Sequence, residues 1–145
     1  MNALLRYEDR ASDAEWAEVL ATFPLFAGVG RRQLRKLVRN ASFAELARGE
    51  RVVSNAAIGS LYIVLGGEAK VLLPTPRSIR AGDYFGEVGV LGGRPHPLHV
   101  VATQELHVMK LPRQPVLELA RRHPPVTRTL LKDLVARLRH APAAA

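Results

Sequence analysis

One carboxylate, Glu87, stands in a run of turn-forming and apolar residues, Gly82-Asp83-Tyr84-Phe85-Gly86-Glu87-Val88-Gly89-Val90-Leu91. The run continues through Gly92-Gly93-Arg94-Pro95-His96-Pro97-Leu98-His99 into the apolar Val100-Val101-Ala102. A glycine directly before the acid lets a short helix begin there, with its first amides free to meet an anion. Packing alone does not call for so many glycines and prolines around one acid, so the stretch has the build of a ligand loop. An ionised carboxylate accepts strong hydrogen bonds from hydroxyl groups. The chemistry these residues suggest is recognition rather than bond breaking.

Other groupings are weaker. His96, His99 and His107 raise the question of a metal, but they lack the paired H-x-H plus glutamate arrangement of metal-binding jelly rolls, and no metal site is expected. No nucleophile elbow and no catalytic pair of acids is present, so no catalytic residue and no cofactor is expected. Zero cysteines exclude disulfides and Cys-type zinc sites.

The surrounding elements follow from periodicity. Trp16, Val19 and Leu20 at i, i+3, i+4, with Ser12-Asp13 as an N-cap, predict a helix over about 13 to 22. Pro24 breaks it, and Arg31 to Arg39 reads as a second helix, with Leu34, Leu37 and Val38 inward and five basic groups outward. From Ser42 the period shortens. Leu61 to Leu65 and Glu68 to Leu73 read as strands joined by Gly66-Gly67, a hairpin signal. Arg77 to Arg80, Leu98 to Thr103 and Glu105 to Leu111 add further strands without helical crossovers, which implies a double-sheet roll or barrel. Pro112 and Pro124-Pro125 open two final helices, the second carrying Val126, Leu130, Leu131, Leu134, Val135 and Leu138 on one face. The fold class is thus mainly β with flanking helices: a helical segment over 1–40, a β-roll over 41–111 with the ligand loop at 82–102, helices over 112–140 and a frayed tail at 141–145.

The chain has 145 residues, enough for one domain with one core, and no stretch reaches the roughly 18 apolar residues of a membrane span. No signal peptide is visible, so a cytoplasmic location is expected. Its net charge of +8 favours an anionic partner.

The order of helix, basic helix, β-roll, Phe-Gly-Glu loop, strands and two terminal helices resembles the cyclic nucleotide-binding domain family over about residues 14 to 140. Pro24-Leu25-Phe26 looks like its entry motif, Gly66-Gly67 like its hairpin glycine, and Gly82 to Glu87 like the start of its phosphate-binding cassette. The resemblance implies a non-catalytic regulatory domain that binds cAMP or cGMP and moves its terminal helices in response. It implies a ligand set of Phe85, Gly86, Glu87, Val88, Arg94, His96, Pro97, Leu98 and His99. Glu87 would accept from the ribose hydroxyl, and the amides from Gly86 to Gly89 would meet the phosphate. Leu130, Leu131 and Leu134 would form a lid, join another subunit, as a homodimer or with a partner protein, or simply pack on the β-roll.

The cassette departs from the family in its second half. The family's Pro-Arg is Pro95-His96 here, so the phosphate-binding arginine position holds a histidine. Pro97 lacks the amide its position would supply, and Leu98 replaces a small residue. Losing a charge-assisted contact costs about 2 to 5 kcal/mol. Arg94, or a protonated His96, would have to replace it. The alternative implied is a degenerate domain, free of nucleotide, that serves protein interaction or targeting. Sequence-specific DNA binding is not expected, because no aromatic stacking set and no helix-turn-helix follows the last helix.

Overall fold

The computed structural model describes residues 12–54, 59–93 and 96–139. The tail at 141–145 and Arg94 lie outside these residues, as does the side chain of Leu138.

Helix α1 spans Asp13–Ala21, and its first turn is closed by the Ser12 hydroxyl, which accepts from the Glu15 amide at 3.2 Å. A 3-10 turn at Pro24–Phe26 leads to α2, Arg31–Arg39, which buries Leu34, Leu37 and Val38. Among the described residues eight strands follow: β1 Ser42–Leu46, β2 Arg51–Ser54, β3 Leu61–Gly66, β4 Glu68–Leu73, β5 Arg77–Arg80, β6 Tyr84–Phe85, β7 Leu98–Ala102 and β8 Leu106–Leu111. Between β6 and β7 sits the short helix α3, Glu87–Gly92. The chain closes with α4, Arg113–Arg122, and α5, Pro124–Arg139.

The strands form two antiparallel four-stranded sheets, ordered β1-β8-β3-β6 and β2-β7-β4-β5. The sequence-based fold class is therefore the observed one, a β-roll with flanking helices. Its core has two compartments. Val64, Val71, Ile79, Phe85, Val100, Leu106 and Val108 fill the space between the sheets. The outer face of the first sheet offers Ile63, Met109 and Leu111 to the helices, where they meet Trp16, Leu20, Phe26, Leu34 and Leu130. This explains the apolar Met109 that interrupts the simple alternation of β8: both faces of that sheet are covered.

Gly66-Gly67 does not close a hairpin between paired strands. β3 pairs with β6 and β8, whereas β4 pairs with β5 and β7, so the glycines turn a corner from one sheet to the other. Gly67 has φ +85, and a Cβ there would fall inside the van der Waals shell of the Glu105 carbonyl oxygen. Local turn chemistry cannot distinguish a hairpin from a corner, because the distinction lies in the strands each partner chooses later in the chain.

On α5 the apolar residues divide. Val126 and Leu130 are buried, but Leu131 and Val135 are exposed. The inward stripe runs instead through Leu130, Asp133, Leu134 and Arg137, at i, i+3, i+4 and i+7.

Candidate functional site

Tyr84 and Phe85 form β6, the edge of the first sheet, and the chain turns sharply at Gly86 into α3. Gly86 has φ +89, and a Cβ there would overlap the Ser60 carbonyl oxygen, so only glycine can make this approach. The turn places Glu87 at the start of α3, where it is 3% exposed and the sole buried charged residue among those described.

Two arginines meet this carboxylate. Arg137, near the end of α5, donates from Nη1 to Glu87 Oε1. Arg77, at the start of β5, places Nη2 3.8 Å from Glu87 Oε2 and donates to the Tyr84 carbonyl at 2.7 Å. The Arg137 guanidinium also lies over the Tyr84 ring, 5.0 Å from its centroid. The Tyr84 hydroxyl donates to Asp133 Oδ2 at 2.5 Å, so Asp133 and Arg137, one turn apart on α5, both bind the roll beside Glu87. Burial pushes the Tyr84 phenol well above its ordinary range, and the bond to Asp133 adds to this. Burial and the neighbouring Arg137 charge lower Arg77, against the opposing pull of Glu87.

A cavity of about 200 Å³ lies between the roll and α5. Val71, Phe85 and Leu134 give it apolar walls, Arg77, Glu87 and Arg137 its charges, and His96 and Leu98 close one side. A smaller cavity of about 30 Å³, room for little more than one water, sits against Gly59, Ser60, Gly86, Gly89 and Pro97. It shares Glu87, Val88, His96 and Leu98 with the larger one.

The structure thus brings Phe85, Gly86, Glu87, Val88, His96, Pro97 and Leu98 to the walls of these two cavities. His99 lines neither; its Nε2 lies 2.7 Å from Arg51 Nη1 on the neighbouring strand β2. Of the three leucines expected over the site, Leu134 lines the larger cavity, Leu130 is buried in the helical core, and Leu131 stays half exposed. Their order follows from the helix rotation that points Asp133 and Arg137 inward. Sequence reasoning passed over Arg77, Tyr84, Asp133 and Arg137. For the last two a signal existed: they fall on the same helical stripe as Leu130 and Leu134.

The three histidines do not converge. Among the described residues, the metal-ligand types that come together are Glu45, Glu105 and His107, on or beside β1 and β8, with ligand atoms within 4.8 Å of one another. They share no residue with either cavity. The exposed Glu105 carboxyl is raised by a hydrogen bond with Glu45 and by its charge. No helix of the described residues is long and apolar enough to cross a membrane.

Residues 43–123 match the family model of the cyclic nucleotide-binding domain, and the chain belongs to that family. A cAMP-dependent protein kinase regulatory subunit of Eremothecium gossypii is 29% identical over 119 residues, which cover 74% of this chain and 26% of that protein. The chain therefore spans about a quarter of this relative's length. The regulatory domain of Toxoplasma gondii protein kinase A, solved with cAMP, superposes with a TM-score of 0.71 at 22% identity, covering 86% of this chain and 50% of the other. The regulatory subunit of a cAMP-independent protein kinase A from Trypanosoma brucei gives 0.72 at 21% identity, covering 83% and 45%. These two structures establish likeness of fold.

Proposed function

We propose that this chain is a cyclic-nucleotide-responsive regulatory domain whose last helix carries its own competitor for the nucleotide site. The observation that supports this reading is the buried pair of Glu87 and Arg137. A ribose hydroxyl would need the same carboxylate oxygens, so docking of α5 through Arg137 and full occupation by nucleotide compete. The cavity under α5, about 200 Å³, is also smaller than the roughly 300 Å³ at which small-ligand pockets begin, so the helix must shift for entry. Ligand then favours the state in which Arg137 has left Glu87, and the displacement of α5 is the output. Arg77 belongs to β5 and not to α5, so a shift of α5 would leave it beside the carboxylate and limit the cost of losing Arg137. The role is regulatory, with no catalytic step.

A second reading is favoured by the phosphate side of the site. His96 stands where the family carries arginine, Pro97 has no amide to offer, and the cavity beside them holds about 30 Å³. Under this reading the ion pairs of Glu87 are a permanent strut, and the domain works through protein contacts. The fold is compatible with both, since one structural relative was solved with cAMP and another is described as cAMP-independent.

Calorimetric titration of cAMP and cGMP separates them. Micromolar binding that disappears in Glu87→Ala supports the responsive domain; no heat up to millimolar ligand supports the strut.

A further inference from the structure

A cleft of about 680 Å³ opens between α2 and α4 and shares no lining residue with the cavities at Glu87. Arg32, Arg35, Lys36 and Arg39 contribute from α2 at i, i+3, i+4 and i+7, and Arg122 from the last turn of α4. Among the described residues the sole acid on the wall is Glu118, one helical turn before Arg122. Arg31 and Arg39 spend their charge on α1, through Glu18 at 2.7 Å and Asp13 at 3.6 Å. Arg32, Arg35, Lys36 and Arg122 make no ion pair within the described residues, and all four are exposed.

Folding does not require this arrangement. The helix contacts of α2 are made by Leu34, Leu37 and Val38, and four like charges on one face repel one another. The cost is recovered when an anionic partner arrives. The character of the partner follows from the rest of the lining. Leu37, Pro115 and Leu119 give the cleft an apolar floor, which a phosphodiester chain does not use. Among the described residues no aromatic ring lines it for base stacking, and Glu118 would repel a continuous line of phosphates. A protein segment meets all three features at once: carboxylates for the cations, an apolar side chain for the floor, and a donor for Glu118.

We propose that the cleft between α2 and α4 is a docking site for a predominantly acidic peptide segment of a partner protein. The site shares no residue with the nucleotide cavity, so the proposal is independent of whether nucleotide binds. Arg113 of α4 donates to the Val90 carbonyl of α3 at 2.9 Å, so the docked segment sits one helix away from the cassette.

The test is fluorescence anisotropy of the full chain with a labelled twelve-residue peptide of glutamates spaced by leucines. The controls are the same peptide with glutamine for glutamate, a twelve-nucleotide single-stranded DNA and vesicles of anionic phospholipid. Saturable binding of the acidic peptide is expected, with at least tenfold loss in the double variant Arg35→Glu/Lys36→Glu and a few-fold gain in Glu118→Gln. Both variants alter exposed side chains, and an unchanged thermal unfolding midpoint confirms the fold. Arg32→Gln/Arg35→Gln, which introduces no new acid, should lose affinity by a smaller factor in the same direction. The proposal is overturned by absence of saturable binding, by equal affinity of the charge-reversed variant, or by DNA or vesicles binding as tightly as the peptide.

Discussion

Arg137 and Glu87, fifty residues apart in sequence, form a buried ion pair that fastens the last helix to the first turn of the cassette. Because Glu87 is 3% exposed and Arg77 also faces it, removing the carboxylate leaves two guanidinium groups with no shared counter-charge. Breaking one partner out of such a pair typically costs about 3 kcal/mol or more. We predict that Glu87→Gln lowers stability by about this amount in urea unfolding. A loss below about 1 kcal/mol would show that the pair is screened like a surface salt bridge.

Tyr84 gives a prediction at alkaline pH. Its phenol is raised in the fold by burial and by its bond to Asp133, so the folded state holds that proton more tightly than the unfolded chain. The stabilisation is complete below the unfolded value, about 10, and is lost as pH rises above it. Urea unfolding from pH 8 to 11 should show a steeper alkaline decline in the wild-type chain than in Tyr84→Phe. Parallel profiles would remove Tyr84 from the account.

The cassette turn can be tested without ligand. Gly82 and Gly86 both have positive φ, but a Cβ at Gly82 meets nothing within 4 Å, whereas at Gly86 it meets the Ser60 carbonyl. Gly82→Ala carries only backbone strain, of order 1 to 2 kcal/mol. Gly86→Ala carries the steric overlap as well and should cost at least about 2 kcal/mol more. Equal losses would mean that the Ser60 segment yields freely.

His96→Arg puts a permanent cation on a residue that lines both cavities and that the proposed function assigns to the phosphate. A regained charge-assisted contact of about 1.4 to 2.8 kcal/mol corresponds to a ten- to hundredfold gain in cyclic nucleotide affinity by calorimetry. An unchanged affinity would place the phosphate elsewhere.

Much of this architecture was legible in the sequence, for physical reasons that differ by element. Ser12 before a stripe of Trp16 and Leu20 specifies a helix start locally, and the Gly86-Glu87 step specifies the cassette turn, since each depends on residues within a few positions. The corner at Gly67 was not legible as a corner, because β3 and β4 each pair with strands far along the chain. The partners of Glu87 were hidden for the same reason. Arg77 and Arg137 look like ordinary surface cations until the roll and α5 bring them to one acid. Asp133 and Arg137 nevertheless interrupt the inward stripe of α5 at Leu130 and Leu134, and polar groups on an apolar stripe require buried partners.

The most direct test of the competition between Arg137 and nucleotide is titration of cAMP and cGMP into the wild-type chain and into Arg137→Gln, side by side. Removing the competing guanidinium frees Glu87, so the variant should bind about tenfold more tightly, equivalent to about 1.4 kcal/mol. Equal or weaker binding by Arg137→Gln, or no binding by either protein up to millimolar nucleotide, would contradict it.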